Sequence, residues 1–453
     1  MRSAFPLGLA AVTFALAVPL QPGDPDAYWH LASARWMVEH GQILRSDVFT
    51  STVAGTPYNV GEWLGELVMY GAFVLDGWAG MAILRALVAA GSAFFLARAS
   101  RREGAPLVAS LLVVIWALVL ARTRWTDRPQ YFGLLLFTML FDVLLVARSG
   151  RPRALFLVPP ILALWANLHG SYPLGLGLVG AFAAEALLLR RAARPFVLAA
   201  GAAVLATQLT PFGIDLGAAA SHGFAPPRFI SEEAPPDVRE PAGFIFSIFV
   251  IAVIAAAAVR RPGLLDVLLL GPLLWLALSA QRHMAFFAFA ATPYLAAAAA
   301  DAWRRLPLLQ GPLRPIPPRA VNGLVAVLGV LAIASVAVAP RAPDERGFPV
   351  GALATLRAGQ GVLLNEYDWG GFIEWYVPGR PTFVDGRLFP FLPTVLADYA
   401  ALIDTSPGWK DVLERRGIRD VLIRPERSLA GALVEAGWRV QASGPTFLYL
   451  VRP

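Results

Sequence analysis

Long apolar runs separated by short polar stretches fill most of the chain. Because a membrane-spanning helix needs about 20 apolar residues, this pattern predicts a polytopic α-helical membrane protein with about eleven spans, some of them short. The predicted spans cover residues 5–20, 79–96, 106–121, 131–147, 154–168, 172–189, 196–209, 243–259, 264–279, 284–302 and 321–339.

The arginines between these runs predict how the chain threads the bilayer. Cytoplasmic loops carry an excess of basic residues, and an N-terminus inside places the main arginine clusters on that side. The alternation holds only if residues 62–75 lie along the outer surface. We therefore predict a first outer loop over residues 21–78, with interfacial helices at 26–40 and 62–75. A later outer loop, 211–242, is rich in proline and typical of a mobile lid.

Residues 340–453 have the composition of a soluble domain, which follows a predicted transmembrane domain of residues 1–339. Short strand-like runs alternate with helix-like runs here, and this predicts a small α/β domain on the outer side. The strand-like runs are 361–364, 382–384, 421–423 and 447–451, and the helix-like runs are 350–358, 409–416 and 429–436.

The composition supports a membrane protein and excludes several kinds of site. Of 453 residues, 57% are apolar and 15% are charged. Lys410 is the only lysine, and the clustered arginines fit loop orientation and lipid headgroups better than nucleic acid. The lack of cysteine excludes disulfides, thiolate metal sites and a cysteine nucleophile. We interpret the first run as a signal anchor, with a cleaved signal peptide as the alternative.

The stretch from Gly23 to His30 carries the strongest candidates for chemistry. Asp24 or Asp26 could act as general base on an acceptor hydroxyl or hold a metal ion. His30 follows Asp26 by four residues, so the two side chains would share a helix face. The alternative is structural, because Asp24 also suits the cap of a helix and Asp26 suits its first turn.

Arginines on the outer side are candidates for binding the phosphate of a donor. Arg124 and Arg128 break the bias of arginine towards the inner side, and Arg282 with His283 lies between two later spans. A guanidinium fork fits phosphate or pyrophosphate oxygens. The alternative is a local ion pair, with Asp127 as the partner, or contact with lipid headgroups.

The remaining candidates are polar residues that could line a cavity or bind the acceptor: Glu62, Asn167, His169, Tyr367, Asp368, Trp369, Asp385 and Arg387. Glu62 and Glu66 could instead belong to a capping box and a solvated helix face. Asn167 and His169 could cap the ends of two spans. Tyr367 to Gly371 is predicted to be a binding turn after a strand, unless its glycines merely permit tight packing.

Taken together, these features resemble the GT-C superfamily of membrane glycosyltransferases. The motifs concerned are Asp-Pro-Asp-x-x-Trp-His, Asn-Leu-His-Gly, Arg-His and Asp-Trp-Gly-Gly, beginning at residues 24, 167, 282 and 368. The resemblance is loose to the catalytic subunits of oligosaccharyltransferases and closer to a group of bacterial polytopic membrane proteins. The chain departs from the oligosaccharyltransferase pattern by its small soluble domain and its lack of tandem tryptophans, so we do not predict peptide N-glycosylation.

The resemblance implies transfer of a sugar from a polyprenyl-phosphate-linked donor to an acceptor on the outer face of the bacterial inner membrane. The implied partners are a polyprenyl-phosphate carrier and membrane lipid, without nucleic acid. A divalent metal ion, the sugar, the acceptor and the oligomeric state are left open. Two other classes remain as alternatives: a lipid-linked solute transporter or flippase, and a non-catalytic membrane subunit with a partner-binding soluble domain. A transporter needs polar residues deep within its spans, where this chain has Arg85 and Glu185.

Overall fold

The computed structural model describes residues 4–102, 105–214, 231–305 and 317–453. Its contacts divide the chain into two compact units. The first unit comprises Met1–Leu20 and Ala79–Pro340, and the second comprises Gln21–Trp78 and Arg341–Pro453. Of the predicted lid over residues 211–242, residues 215–230 lie outside the described part of the chain.

Apolar helices account for most of the first three quarters of the chain. They are α1 (Ala4–Ala17), α2 (Asp26–His40), α3 (Trp63–Ser100), α4 (Leu107–Ala121), α5 (Gln130–Arg148), α6 (Val158–Leu168), α7 (Tyr172–Leu188), α8 (Arg194–Ala206), α9 (Pro241–Val259), α10 (Leu264–Ser279), α11 (Met284–Arg305) and α12 (Pro318–Ser335). Helix α11 lies inside the first unit, because 89% of the residues in its most apolar stretch are buried. In α12 that share is only 6%, which suits a helix that faces lipid.

Fewer helices qualify as membrane spans by their length than the apolar runs predict, within the residues that the structure describes. In the described part of the chain, six helices are long and apolar enough to cross a membrane. The other predicted spans coincide with apolar helices of 10–17 residues. A polytopic membrane fold is therefore supported, whereas the count of eleven spans is not confirmed.

Helix α3 contains a backbone break that separates two predicted segments. Asp76 (φ −153°, ψ 35°) and Gly77 (φ 55°, ψ −139°) are both non-helical. The left-handed φ of Gly77 is readily adopted by glycine, which lacks a Cβ. The predicted interfacial helix at 62–75 thus ends where the break begins, while its position relative to the membrane stays a prediction.

Two charged residues inside the predicted spans, Arg85 and Glu185, have ionic partners. Arg85 donates to both carboxylate oxygens of Asp127, at 2.8 and 2.9 Å, and both side chains are 1% exposed. Arg148 donates to both oxygens of Glu185, at 2.7 and 2.8 Å. Asp127 therefore pairs with Arg85. A buried charge is costly unless it is paired, so these contacts explain how the first unit accommodates both residues.

The second unit contains a four-stranded mixed sheet in the order β1-β2-β4-β3. Its elements are α13 (Leu353–Ala358), β1 (Val362–Asn365), α14 (Gly370–Tyr376), α15 (Thr394–Ile403), α16 (Trp409–Arg415), β2 (Ile418–Ile423), α17 (Ser428–Glu435), β3 (Arg439–Ser443) and β4 (Leu448–Val451). Strands β1 and β2 are parallel, and the other neighbouring pairs are antiparallel. The unit has the α/β character that the sequence predicts for residues 340–453.

Two predicted details of this sheet are wrong. Residues 382–384 form no strand but only an isolated parallel bridge between Thr50 and Thr382. The edge strand β3 was not predicted, because most of its residues are exposed and polar and so lack the apolar signal of a buried strand. Helices α14 and α15 were not predicted either.

Residues 21–78 pack with the C-terminal part of the chain, although we predicted them as a loop of the membrane domain. Tyr28 of α2 makes edge contacts with the rings of Phe348 and Phe372, at centroid distances of 5.2 and 5.4 Å. Arg35 donates to the backbone carbonyls of Glu374 and Trp375. Burial of these aromatic rings explains the grouping, because apolar surface removed from water is the dominant source of packing free energy.

Candidate functional site

Asp24 and Asp26, which the sequence could not separate, have different surroundings in the second unit. Asp24 is 9% exposed, and its carboxylate accepts a hydrogen bond from the backbone N–H of Asp26 at 3.0 Å. This contact supports the structural alternative for Asp24, since it satisfies a backbone donor at the start of α2. Asp26 is only half-buried, so its carboxylate is the better placed of the two to meet a substrate.

The carboxylate of Asp26 lies against the backbone of Gly386. A Cβ at position 386 would collide with this carboxylate and with the indole nitrogen of Trp29, so glycine is needed for the close approach. The indole N–H of Trp29 is buried and has no hydrogen-bond partner within the described ranges. A carboxylate acceptor and an unused N–H donor therefore meet at one glycine, and together they could orient a hydroxyl group.

His30 connects two glutamates one helical turn apart. Its Nδ1 lies 3.0 Å from an oxygen of Glu66, and its Nε2 lies 3.8 Å from an oxygen of Glu62. His30 and Glu66 are buried, whereas the side chain of Glu62 is 26% exposed. The ring of Trp29 lies 3.5 Å from that of His30, centroid to centroid. Asp26, His30 and Glu62 thus lie in one unit, and Glu66 fixes the orientation of the imidazole.

Within this unit, Arg387 links residues 21–78 to the C-terminal part of the chain. Its guanidinium donates to both oxygens of Asp385, at 2.5 to 2.9 Å, and to Asp47 at 2.5 Å. All three side chains are 0% exposed. The rings of Phe49 and Tyr58 lie over the guanidinium, 5.4 and 4.9 Å away. These contacts indicate a positioning role for Asp385 and Arg387, whereas we predicted that they line a cavity; their part in binding stays a prediction.

A third carboxyl group, that of Glu374, lies near Asp385 and Arg387. Glu374 accepts a hydrogen bond from the Thr382 hydroxyl at 2.8 Å and is 3% exposed. Burial raises the pKa of Glu374 well above its usual range, and the neighbouring Asp385 raises it further. Burial alone would lower the pKa of Arg387, but the surrounding carboxylates raise it well above its ordinary value. Arg387 therefore stays charged, with Asp385 and Asp47 as its counter-ions.

The predicted binding turn at Tyr367–Trp369 is a 3-10 turn that leads directly into α14. Trp369 is fully buried, and its indole N–H donates to the backbone carbonyl of Gly347 at 3.0 Å. Asp368 pairs with Arg424 at 2.5 Å, and the backbone N–H of Tyr367 donates to the Tyr399 hydroxyl.

Glycines after this turn serve close packing, the alternative that we gave for them. A Cβ at Gly370 would collide with the backbone of Val384 and Asp385, and one at Gly371 with Trp29. These contacts favour a structural role for Asp368 and Trp369.

The carboxylates of the second unit do not form an evident metal site. Across residues 4–102, 105–214, 231–305 and 317–453, no group of three His, Asp or Glu side chains is arranged to hold a metal ion. An ion held by protein side chains alone normally needs several such ligands, whereas Mg²⁺ is usually held by one or two carboxylates together with substrate phosphates. The possible divalent ion therefore stays a prediction, and we derive no step through one.

In the first unit, the three predicted phosphate-binding arginines converge on two adjacent glutamates. Arg124 donates to Glu232 at 2.8 Å, and Arg128 lies 3.4 Å from the same oxygen. Arg282 pairs with Glu233, and the backbone of Gln281 donates to the carbonyl of Ala234. Burial raises the pKa of the Glu233 carboxyl, against the lowering effect of Arg282. These contacts agree with the local ion pair that we gave as the alternative, and the partners are two glutamates of the 3-10 turn Ser231–Glu233.

His169 lies near this arginine cluster. Burial, together with the charges of Arg282 and Arg124, lowers its pKa to about 3. Its Nδ1 accepts a hydrogen bond from the backbone N–H of Ser171 at 3.1 Å, which requires an unprotonated nitrogen there. His169 is thus neutral and interacts electrostatically with Arg282 and Arg124. His283, next to Arg282, has a buried Nδ1 without a partner in the part of the chain that is described.

Asn167 has a structural explanation. Its amide donates to the carbonyls of Ala163 and Leu209, at 2.7 and 2.9 Å, and so links the ends of two segments. This agrees with the capping alternative.

Sequence analysis missed Asp47 and Glu374, and it left Glu66 out of the predicted site. Glu66 follows Glu62 by four residues, so helical spacing could have included it. No local pattern marks Asp47 or Glu374, because their partners are distant in sequence.

No protein-family model matches the chain, and no curated protein matches it by sequence. Solved structures do match it. The oligosaccharyltransferase of Archaeoglobus fulgidus in the apo form aligns with a TM-score of 0.62 and 12% identity, over 93% of this chain and 69% of that one. The same enzyme tethered to an acceptor peptide with the NVT sequon gives 0.58 and 11% over the same shares. ArnT from Cupriavidus metallidurans, bound to undecaprenyl phosphate, gives 0.52 and 16% over 97% of this chain and 96% of that one.

These similarities show the fold of the chain. The chain shares the fold of this oligosaccharyltransferase and of ArnT, so the predicted resemblance is confirmed at the level of the fold alone. Fold alone does not determine activity, which depends on the residues of the site.

Proposed function

We propose that the chain transfers a sugar from a polyprenyl-phosphate-linked donor to an acceptor on the outer face of the bacterial inner membrane. The observation that carries this proposal is the similarity in fold to two kinds of glycosyl-transferring enzyme, one of them solved with undecaprenyl phosphate. The half-buried Asp26 and the arginine cluster support it, because they supply a base and a set of phosphate-binding groups. The predicted N-terminus inside and C-terminal domain outside belong to the same proposal.

In this mechanism, Asp26 accepts the proton of the acceptor hydroxyl as that oxygen attacks the anomeric carbon of the sugar. The indole N–H of Trp29 donates to the same hydroxyl oxygen and orients it. The bond between the sugar and the phosphate oxygen breaks, and the carrier leaves as a phosphate anion. Within the first unit, Arg124, Arg128 and Arg282 are the proposed binding groups for a carrier phosphate, because guanidinium groups bind phosphate oxygens in a forked geometry.

Loss of individual arginines should weaken binding of the carrier. We expect at least one of Arg124→Gln and Arg282→Gln to bind undecaprenyl phosphate about tenfold more weakly, the loss expected for a charge-assisted hydrogen bond. Titration of the purified full chain in detergent would measure this. Arg239→Gln is the matched control, since Arg239 is exposed near the same turn. Unchanged affinity in both arginine variants would remove the phosphate-binding assignment, whereas normal binding without turnover on any acceptor would favour a non-catalytic subunit.

A further inference from the structure

Glu232 and Glu233, the partners of the three outer arginines, are more exposed than three other carboxylates that pair with arginines in the first unit. Asp127, Asp142 and Glu185 pair with arginines while only 1–4% exposed, and each lies within or beside an apolar helix. By contrast, the Glu232 side chain is 30% exposed and that of Glu233 is 10% exposed. Both belong to a short 3-10 turn. Partly exposed ion pairs contribute little to stability, so these two carboxylates can be exchanged for another anion at low cost.

The arginines divide into two sets. Arg124 and Arg128 hold Glu232, and Arg282 holds Glu233. The two sets are adjacent, because Glu232 and Glu233 are consecutive and the backbone N–H of Gln281 donates to the carbonyl of Ala234 at 3.0 Å. The cluster therefore contains two adjacent positions that each bind an anion, and each position has its own guanidinium donors.

We propose that Glu232 and Glu233 occupy the positions of two linked phosphate groups, so that the donor carries its sugar on a polyprenyl diphosphate. This inference rests on the proposed function and deepens it by naming the class of donor. A monophosphate diester has one negative charge and fills one position, whereas a diphosphate diester has one charge on each phosphate and fills both. When the bond to the sugar breaks, the departing polyprenyl diphosphate gains a third negative charge, which three guanidinium groups can balance. Binding of the donor displaces the two carboxylates.

The test compares lipid binding by the full chain with and without these carboxylates. Glu232→Gln/Glu233→Gln removes the competing charges and keeps the side-chain shapes, so it should bind undecaprenyl diphosphate about tenfold more tightly than the native chain. The native chain should prefer undecaprenyl diphosphate to undecaprenyl phosphate. Glu240→Gln is the control, because Glu240 is exposed close to the same turn, and its affinity should not change.

Each outcome has a defined meaning. Unchanged or weaker binding by the double variant would overturn the inference, as would a preference of the native chain for undecaprenyl phosphate. Inorganic pyrophosphate serves as a control for the headgroup without the lipid. Equal affinity for pyrophosphate and for undecaprenyl diphosphate would contradict a lipid-borne ligand. The single variant Glu233→Gln should tighten binding in the same direction and serves if the double variant folds poorly. If Arg124→Gln and Arg282→Gln fail to weaken binding, the proposed function fails; if they weaken it and the glutamate variants do not tighten it, only this inference fails.

Discussion

Asp26→Asn should reduce sugar transfer between about a hundredfold and ten-thousandfold, the range expected when a general base is removed. Asparagine has nearly the same shape as aspartate, so the close approach to Gly386 and the position of Trp29 should remain. An amide cannot accept the proton of the acceptor hydroxyl, and the loss should therefore fall on turnover more than on donor binding. Transfer of a labelled sugar by the purified chain in liposomes measures this effect.

Asp24→Asn is the matched control for this variant. The carboxylate of Asp24 accepts a hydrogen bond from the backbone N–H of Asp26, and the amide oxygen of asparagine can accept the same bond. We expect its transfer rate to stay within about threefold of the native rate, since asparagine and aspartate cap helices about equally well. A large loss in Asp24→Asn together with normal turnover in Asp26→Asn would show that Asp26 is not the base and that Asp24 is.

Arg387→Met should destabilise the second unit by about 3–5 kcal/mol, because it leaves the carboxylates of Asp385 and Asp47 buried without their counter-ion. These carboxylates and the guanidinium are fully buried, so water cannot replace the lost contacts. Methionine also forfeits the interaction of the guanidinium with the rings of Phe49 and Tyr58. Thermal unfolding of the full chain in detergent would measure the loss, with proteolytic cleavage within residues 341–453 as the signal for unfolding of this unit.

Two variants distinguish this effect from a general consequence of removing arginine. Arg346 also pairs with an aspartate, but its side chain is 91% exposed, so Arg346→Met should unfold at the native temperature. Adding Asp47→Asn and Asp385→Asn to Arg387→Met removes the unpaired charges and should restore part of the stability. Native-like stability of Arg387→Met would show that the buried pair does not hold this unit together.

The sequence predicted the helices well where a long apolar run or a cap defined them. Helix α2 matches the predicted 26–40, and α10 matches the predicted 264–279. Side-chain period and apolar length are local properties, so they can be read without knowing the fold. The break after residue 75 was inferred from the arginine pattern, and Asp76 and Gly77 supply its backbone form.

The polar site was much less predictable, because its members are brought together by tertiary structure. His30 meets Glu66 across 36 positions of sequence, and Arg387 meets Asp47 across 340. A sequence pattern shows that each residue is polar but not which partner it finds. Similarly, Asp368 and Trp369 were predicted in a binding turn, whereas the structure places them in an ion pair and a buried hydrogen bond.

Turnover by the native chain tests the central claim most directly. The purified protein would be reconstituted in liposomes with a panel of labelled sugars on undecaprenyl phosphate and undecaprenyl diphosphate, together with candidate acceptors from the cell envelope. Mass spectrometry would follow the carrier. The account predicts that the native chain releases free carrier while the label moves to an acceptor, and that Asp26→Asn does not. Donors that bind but stay intact with every acceptor, in the native chain as in Asp26→Asn, would contradict it.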